Sequence, residues 1–265
     1  MTNRINWQKR LRRAAELSER EALPQQVLAF YRHVLDVQQR VFEDLATSTP
    51  VTQSAGAFRE NIDLDRATHW LPAVFDIGRS HGPAKLAEEA TRLAALPDQQ
   101  QRQFLGDYLG NVEGSVDQAS AFFARVVLQP MAEFLAAQIP VPVTTSENTC
   151  PVCGSKPQLA ILRPEGDGGK RHLACSFCSA EWEFRRVLCP VCAEVDYAKL
   201  PRYLPEQPIA VRVEACDTCK FYLKSFDLTQ DGLLIPEVDE IASIALDLWA
   251  AEHGYQKVRT NLMGF

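Results

Sequence analysis

The chain has 265 residues, 46% of them hydrophobic, enough to bury a substantial core as one large domain or two ordinary ones. Its formal net charge of -6 speaks against a general nucleic-acid binder, which needs a basic footprint to displace phosphate counterions. No stretch approaches the roughly eighteen apolar residues of a membrane span, and the scattered charges Arg4, Lys9, Arg10, Arg12 and Arg13 leave no room for a signal peptide, so the expected location is cytoplasmic.

From Asn6 to about Gln138 the hydrophobic period is helical. Val27, Leu28, Tyr31, Val34, Leu35, Val41, Phe42 and Leu45 share one stripe, and Pro24 suits the first turn of that helix. Leu64, Ala67, Leu71, Val74 and Phe75 repeat the spacing, with Pro72 expected to start or kink the helix. Pro83 opens another helix bearing Leu86, Ala90 and Leu93. Asp98 is placed to cap a short helix carrying Phe104, Leu105, Tyr108 and Leu109, which ends in a turn around Gly110 and Gly114. A long helix follows with Val116, Ala119, Phe123, Val126, Val127, Phe134 and Leu135, and a kink is expected at Pro130. This half reads as a helical bundle without a phosphate loop, nucleophile elbow or metal-ligand pair.

Ile139 to Thr149 is rich in Pro, Thr and Ser and reads as an extended linker. All eight cysteines lie beyond it, in four C-x-x-C pairs: Cys150/Cys153, Cys175/Cys178, Cys189/Cys192 and Cys216/Cys219. Two-residue spacing lets both thiolates of a pair face one ion, and two pairs complete a tetrahedral S₄ site. In a reducing compartment such pairs favour metal over disulfides.

The segment also reads as a duplication. Cys-Pro-Val-Cys recurs 39 residues on, and Arg171 to Cys175 aligns with Arg212 to Cys216. Each copy is knuckle, loop, strand, knuckle, strand, with Pro164 to Gly169 as a loop and Arg185 to Leu188 as a strand-like link between copies. Cys150, Cys153, Cys175 and Cys178 are then the ligands of a first ion, and Cys189, Cys192, Cys216 and Cys219 of a second. A cross-braced pairing, first pair with third and second with fourth, is the competing connectivity. Phe221 to Leu228 alternates like a strand, and Pro236 opens a helix with Ile241, Ile244, Ala245, Leu248 and Trp249 on one face, closed by Gly254.

S₄ sites suit zinc and rubredoxin-type iron alike, and a purely structural ion explains the cysteines as well as one that also senses redox state. Only Gly154 follows its knuckle with the residue that tolerates positive φ. Ser179, Ala193 and Lys220 stand at the other three positions, which sets them apart from a rubredoxin knuckle. His172 is surplus to eight cysteines and reads as a partly exposed strand residue, and His33, His69, His81 and His253 as surface or helix-end residues. Trp182, Phe184, Phe221, Tyr222 and Phe226 are expected to shield the ions. Lys170-Arg171 and Arg185-Arg186 sit among Glu165, Asp167, Glu181 and Glu183 and read as a solvated mixed-charge face.

Four motifs then carry a resemblance: C-P-V-C-G-S-x-P from Cys150 to Pro157, C-S-F-C-S-A-E-W from Cys175 to Trp182, C-D-T-C-K-F-Y-L-K from Cys216 to Lys224, and L-D-L-W-A-x-E-x-G-Y from Leu246 to Tyr255 with the terminal N-L-M-G. Together they resemble the FdhE family of formate dehydrogenase accessory proteins. The resemblance implies a cytoplasmic protein, not an enzyme, that handles the molybdenum-containing catalytic subunit of respiratory formate dehydrogenase before export through the twin-arginine pathway. It also implies rubredoxin-like sites holding iron, two ions in all, with zinc as the alternative. A zinc-ribbon nucleic-acid binder and a rubredoxin-type electron carrier are the competing classes, and a homo-oligomer is compatible with the sequence. The expected fold is α+β: a helical bundle over residues 1–142, two tandem small-β, zinc-ribbon or rubredoxin-like four-cysteine modules over 143–188 and 189–235, and a C-terminal helix and tail over 236–265.

Overall fold

The computed structural model describes residues 6–19, 24–47, 58–110, 117–141, 143, 146–205 and 210–265. Arg4, Gly114, Val116 and the linker positions Pro142, Thr144 and Thr145 lie outside them. Among these residues six α-helices come first: α1 (Trp7–Ser18), α2 (Gln25–Ala46), α3 (Leu64–His81), α4 (Ala84–Ala94), α5 (Asp98–Gly110) and α6 (Gln118–Ala136). Asn6, Asp63 and Asp117 start α1, α3 and α6 by accepting backbone N–H bonds of the first turn.

Helix α6 is the most deeply buried helix of the bundle, inserting Phe122, Phe123, Val126, Val127, Leu128 and Met131 against α2, α3, α4 and α5. A Cβ on Gly78 of α3 would come within 2.7 Å of the Phe123 ring, so a glycine is needed for that approach.

The helix starts agree with expectation in part. Pro72 does not start α3, which begins at Leu64 and includes it; the ring sits on the solvent side, where water can satisfy the carbonyl it leaves without a donor. Pro24 opens α2 as its N-cap residue, in helical conformation and with its carbonyl accepting the Leu28 amide at 2.8 Å. Asp98 is the first residue of α5 and not its cap, because the Pro97 carbonyl takes the Gln100 and Gln101 amides.

The cysteine region forms one mixed sheet from β1 (Pro157–Glu165), β2 (Gly168–Cys175), β3 (Glu181–Glu183), β4 (Arg202–Tyr203), β5 (Val211–Ala215), β6 (Phe221–Asp227) and β7 (Gln256–Lys257). Its order is β3-β2-β1-β6-β5-β4, with β7 also on β6. The expected loop from Pro164 to Gly169 is mostly strand: Pro164 pairs with Gly169 and Glu165 with Gly168, leaving a two-residue turn in which Gly166 takes φ +55°. Arg185 to Leu188 is irregular and not strand-like.

The two copies are fused edge to edge. β1 of the first lies parallel to β6 of the second, Leu159 opposite Lys224 through Leu162 opposite Asp227. Arg171 crosses the same boundary to Glu214 at 2.9 Å, both side chains largely buried, so it does not belong to a solvated face. Lys170, bridged to Glu165 and Glu183, does.

The final helix breaks at Ser243 into α7 (Pro236–Ala242) and α8 (Ile244–Glu252). Its inward face also differs from the apolar reading. Ile244, Asp247 and Ala250 are buried in α8, whereas Ala245 is exposed and Leu248 is 46% exposed. Asp247 turns inward because two buried lysines hold it: Lys224 of β6 at 2.6 Å and Lys257 of β7 at 2.8 Å. Glu240 of α7 completes the cluster beside Lys224, Lys257 and Asn261. Helix α7 returns to the bundle, where Arg10 meets Glu237 at 2.9 Å and Arg13 meets Asp239 at 2.6 Å. No helix among the described residues is long and apolar enough to cross a membrane.

Candidate metal centres

Every C-x-x-C pair folds the same way. The amide of the first cysteine donates to the carbonyl five residues on: Cys150 to Ser155, Cys175 to Ala180, Cys189 to Glu194 and Cys216 to Phe221, at 2.8–3.0 Å. In three of the four turns the residue after the second cysteine donates back to the first cysteine's carbonyl: Gly154, Ala193 and Lys220. All four turns put that residue in the left-handed region: φ is +75° at Gly154, +52° at Ser179, +60° at Ala193 and +61° at Lys220.

The absence of glycine at three positions therefore does not set those knuckles apart, because the surrounding hydrogen bonds outweigh the roughly 1–2 kcal/mol an L-residue loses there. Ala193→Gly is accordingly expected to leave stability unchanged or raise it by up to about 1 kcal/mol, while Gly154→Val lowers it by about that much or more. Urea midpoints of the metal-loaded variants measure both.

The pairs assemble in sequence order. Cys150, Cys153, Cys175 and Cys178 form one cluster, and Cys189, Cys192, Cys216 and Cys219 another, with all sulfurs of a cluster within 4.8 Å of one another. This is the tandem pairing and not the cross-braced one. Between knuckles the sulfurs stand 3.7 Å (Cys150–Cys178) and 3.3 Å (Cys153–Cys175) apart in the first cluster, and 3.7 Å (Cys189–Cys219) and 3.6 Å (Cys192–Cys216) in the second. A tetrahedral ion with metal–sulfur bonds near 2.3 Å requires edges of about 3.8 Å. Disulfides, at about 2.05 Å, are excluded by the same distances.

Charge also calls for a cation. Burial pushes the Cys175 thiol well above its ordinary range, while contacts with the neighbouring sulfurs pull Cys153 far below it. Burial likewise pushes Cys189 up to about 11 and Cys219 higher still. Four close sulfurs cannot all ionise unaided, whereas a bound cation would hold them as thiolates. Backbone amides already point that way: Phe177 and Cys178 donate to the Cys175 sulfur, and Val191 to that of Cys189.

The clusters differ in their surroundings. All four cysteines of the first are buried, in one core with Phe177, Trp182, Phe184 and the helical bundle. The bundle touches its knuckles directly. Glu133 of α6 accepts from the Ser179 hydroxyl at 2.5 Å while pairing with Arg10 at 2.8 Å, and Arg59 donates to Ser155, whose hydroxyl lies 3.4 Å from the Cys153 sulfur. Sequence reading could find Ser155 and Ser179 beside their cysteines, but not Arg59 or Glu133, which come from distant segments of the helical half.

In the second cluster Cys192 is exposed and Cys219 half-exposed. Of the aromatics expected around the ions, Trp182 and Phe184 share the first cluster's core and Phe221 packs against it, but Phe226 packs instead with Leu159, Ile161 and Val211. His172 lies outside both clusters, half-buried in β2, and the remaining histidines are exposed.

Comparison with known proteins adds a relationship to this geometry. Residues 149–186 match the family model described as FdhE, central domain, and residues 185–263 that described as FdhE, C-terminal domain. The protein FdhE homolog of Aquifex aeolicus is 28% identical over 96% of this chain and 94% of its own length. That of Pseudomonas aeruginosa is 38% identical over 45% of this chain and 40% of its own. The crystal structure of the FdhE protein from Pseudomonas aeruginosa shares the fold, with a TM-score of 0.76 at 24% identity over 97% of this chain and 95% of that one.

Proposed function

The chain belongs to the FdhE family of formate dehydrogenase accessory proteins, and from that premise we propose that it binds the catalytic subunit of a respiratory formate dehydrogenase in the cytoplasm and supports its maturation before export. The observation that carries the reading is relatedness along almost the whole chain, bundle and cysteine sheet together. A generic zinc ribbon would share only the cysteines.

In this reading each cluster holds one ion, iron by the family resemblance and zinc as the alternative. Cys150, Cys153, Cys175 and Cys178 ligate the first; Cys189, Cys192, Cys216 and Cys219 ligate the second. Four thiolates fill a tetrahedral ion and leave no open position for substrate, which favours a holding role over catalysis. The first site then fixes the sheet to the bundle through Glu133 and Arg59. The domain limits at 142, 188 and 235 are retained as limits of sequence units, although the two cysteine units share one sheet.

Deleting the gene in its own host should abolish formate oxidation by the respiratory enzyme, and re-expression of the intact chain should restore it. Undiminished activity in the deletion strain would refute the proposal. Metal analysis and the visible spectrum of protein purified without added metal decide the ion, since ferric S₄ sites are red and zinc sites colourless.

A further inference from the structure

A shallow, solvent-open cleft borders the second cluster, with Cys189 and Cys216 in its wall. Its charged lining is three arginines, Arg171, Arg186 and Arg202, against a single carboxylate, Glu214. Arg171 is spent at the floor: Nε and Nη2 hold Glu214 at 3.0 and 2.9 Å, and Nη1 donates to the Arg185 carbonyl at 3.1 Å. Arg186 and Arg202 are exposed, and among the described residues neither forms an ion pair. Arg186 donates to the Gly169 carbonyl and Arg202 to the Arg186 carbonyl at 3.3 Å.

A guanidinium has five N–H donors, so both keep most of their fork for a group outside the chain. Together with Arg171 they set three guanidiniums against Glu214 and the net negative charge that a loaded four-thiolate centre carries. The guanidinium fork matches planar oxyanions, the carboxylate among them.

We propose that this cleft is a carboxylate-recognition site that takes acidic side chains of a protein partner, and, resting on the function proposed above, that the client docks here beside the second metal site. A protein occupant suits the surroundings better than a small molecule. The loop leaving Cys192 exposes Val195 and Tyr197, and Leu204 is exposed two residues after Arg202, which sets apolar contacts around the charged centre as in a protein interface.

The test uses the full metal-loaded chain and a fluorescein-labelled hexaglutamate peptide, read by fluorescence anisotropy. Wild type should bind it in a salt-dependent way, and the double variant R186Q/R202Q should bind at least about ten-fold more weakly while retaining both ions and the wild-type circular dichroism. R79Q, on an exposed face of α3, should match wild type, and R186E/R202E should bind nothing.

Equal affinity in wild type and R186Q/R202Q, or no binding by wild type, overturns the proposal. So does displacement of the peptide by inorganic phosphate at an ionic strength where chloride leaves it bound, which would make the cleft a small-oxyanion site. Because no formate dehydrogenase is present, failure here leaves the accessory function standing, and failure of that function is read separately from the deletion strain.

Discussion

Chelator titration of the metal-loaded protein should release its two ions in separate phases, the second site first. The reason is access. Cys192 is exposed and Cys219 half-exposed, so a chelator can reach the second ion in the folded state, whereas the first lies among four buried sulfurs within the main core. Its release requires the bundle and sheet to part.

Single substitutions should separate in the same direction. Cys175→Ser removes a buried ligand, and because ion binding can contribute on the order of 10 kcal/mol to such a unit, comparable to the whole stability of a domain, the variant should lose the first ion and cooperative unfolding with it. Cys192→Ser should keep the first ion and a cooperative transition. Metal stoichiometry and urea denaturation give both readouts, and simultaneous release of the two ions would contradict the ranking.

Lys224→Met should cost about 3–5 kcal/mol, because it leaves buried carboxylates short of a partner. Lys224 and Glu240 are each 0% exposed, and with Asp247 and Lys257 they form a neutral set of two cations and two anions tying β6, β7, α7 and α8 together. Burial alone would raise the Glu240 carboxyl, but Lys224 and Lys257 outweigh it and hold it at about 2.

A carboxyl lowered on folding adds stability that is complete above its unfolded pKa, about 4.3, and is lost as pH falls through the folded value. Wild-type stability should therefore decline between about pH 5 and 2. The Lys224→Met deficit should be largest near neutrality and shrink across that interval as the excess carboxylate takes up a proton. Urea midpoints at a series of pH values measure it, and a deficit independent of pH would count against the ion cluster as its cause.

The parts legible from sequence are those written in neighbouring residues. The α2 stripe from Leu28 to Leu45 is read from local period, since burial of one face imposes it. The strand of β6 is legible too, but its alternation is not matched by burial: the strand is central in the sheet and every residue after Phe221 is buried. The knuckle needs only six consecutive residues, so spacing identifies all four turns. Even there residue type misleads: Ser179, Ala193 and Lys220 take the left-handed conformation that glycine adopts most easily, because hydrogen bonds across the turn hold it.

Sequence by itself determined an α+β chain, a cysteine-free helical half, a duplicated half with four cysteine pairs, and a resemblance strong enough to name a family. Tertiary structure decided the rest. It joined the copies through β1 and β6, turned Asp247 inward and Leu248 outward, buried one cysteine cluster against the bundle, and left the other at the surface beside unpaired arginines. The physical reason is range: turn geometry and periodicity act over a few residues, whereas burial and charge pairing act between segments that meet only when the chain is folded, as Arg59 and Ser155 do.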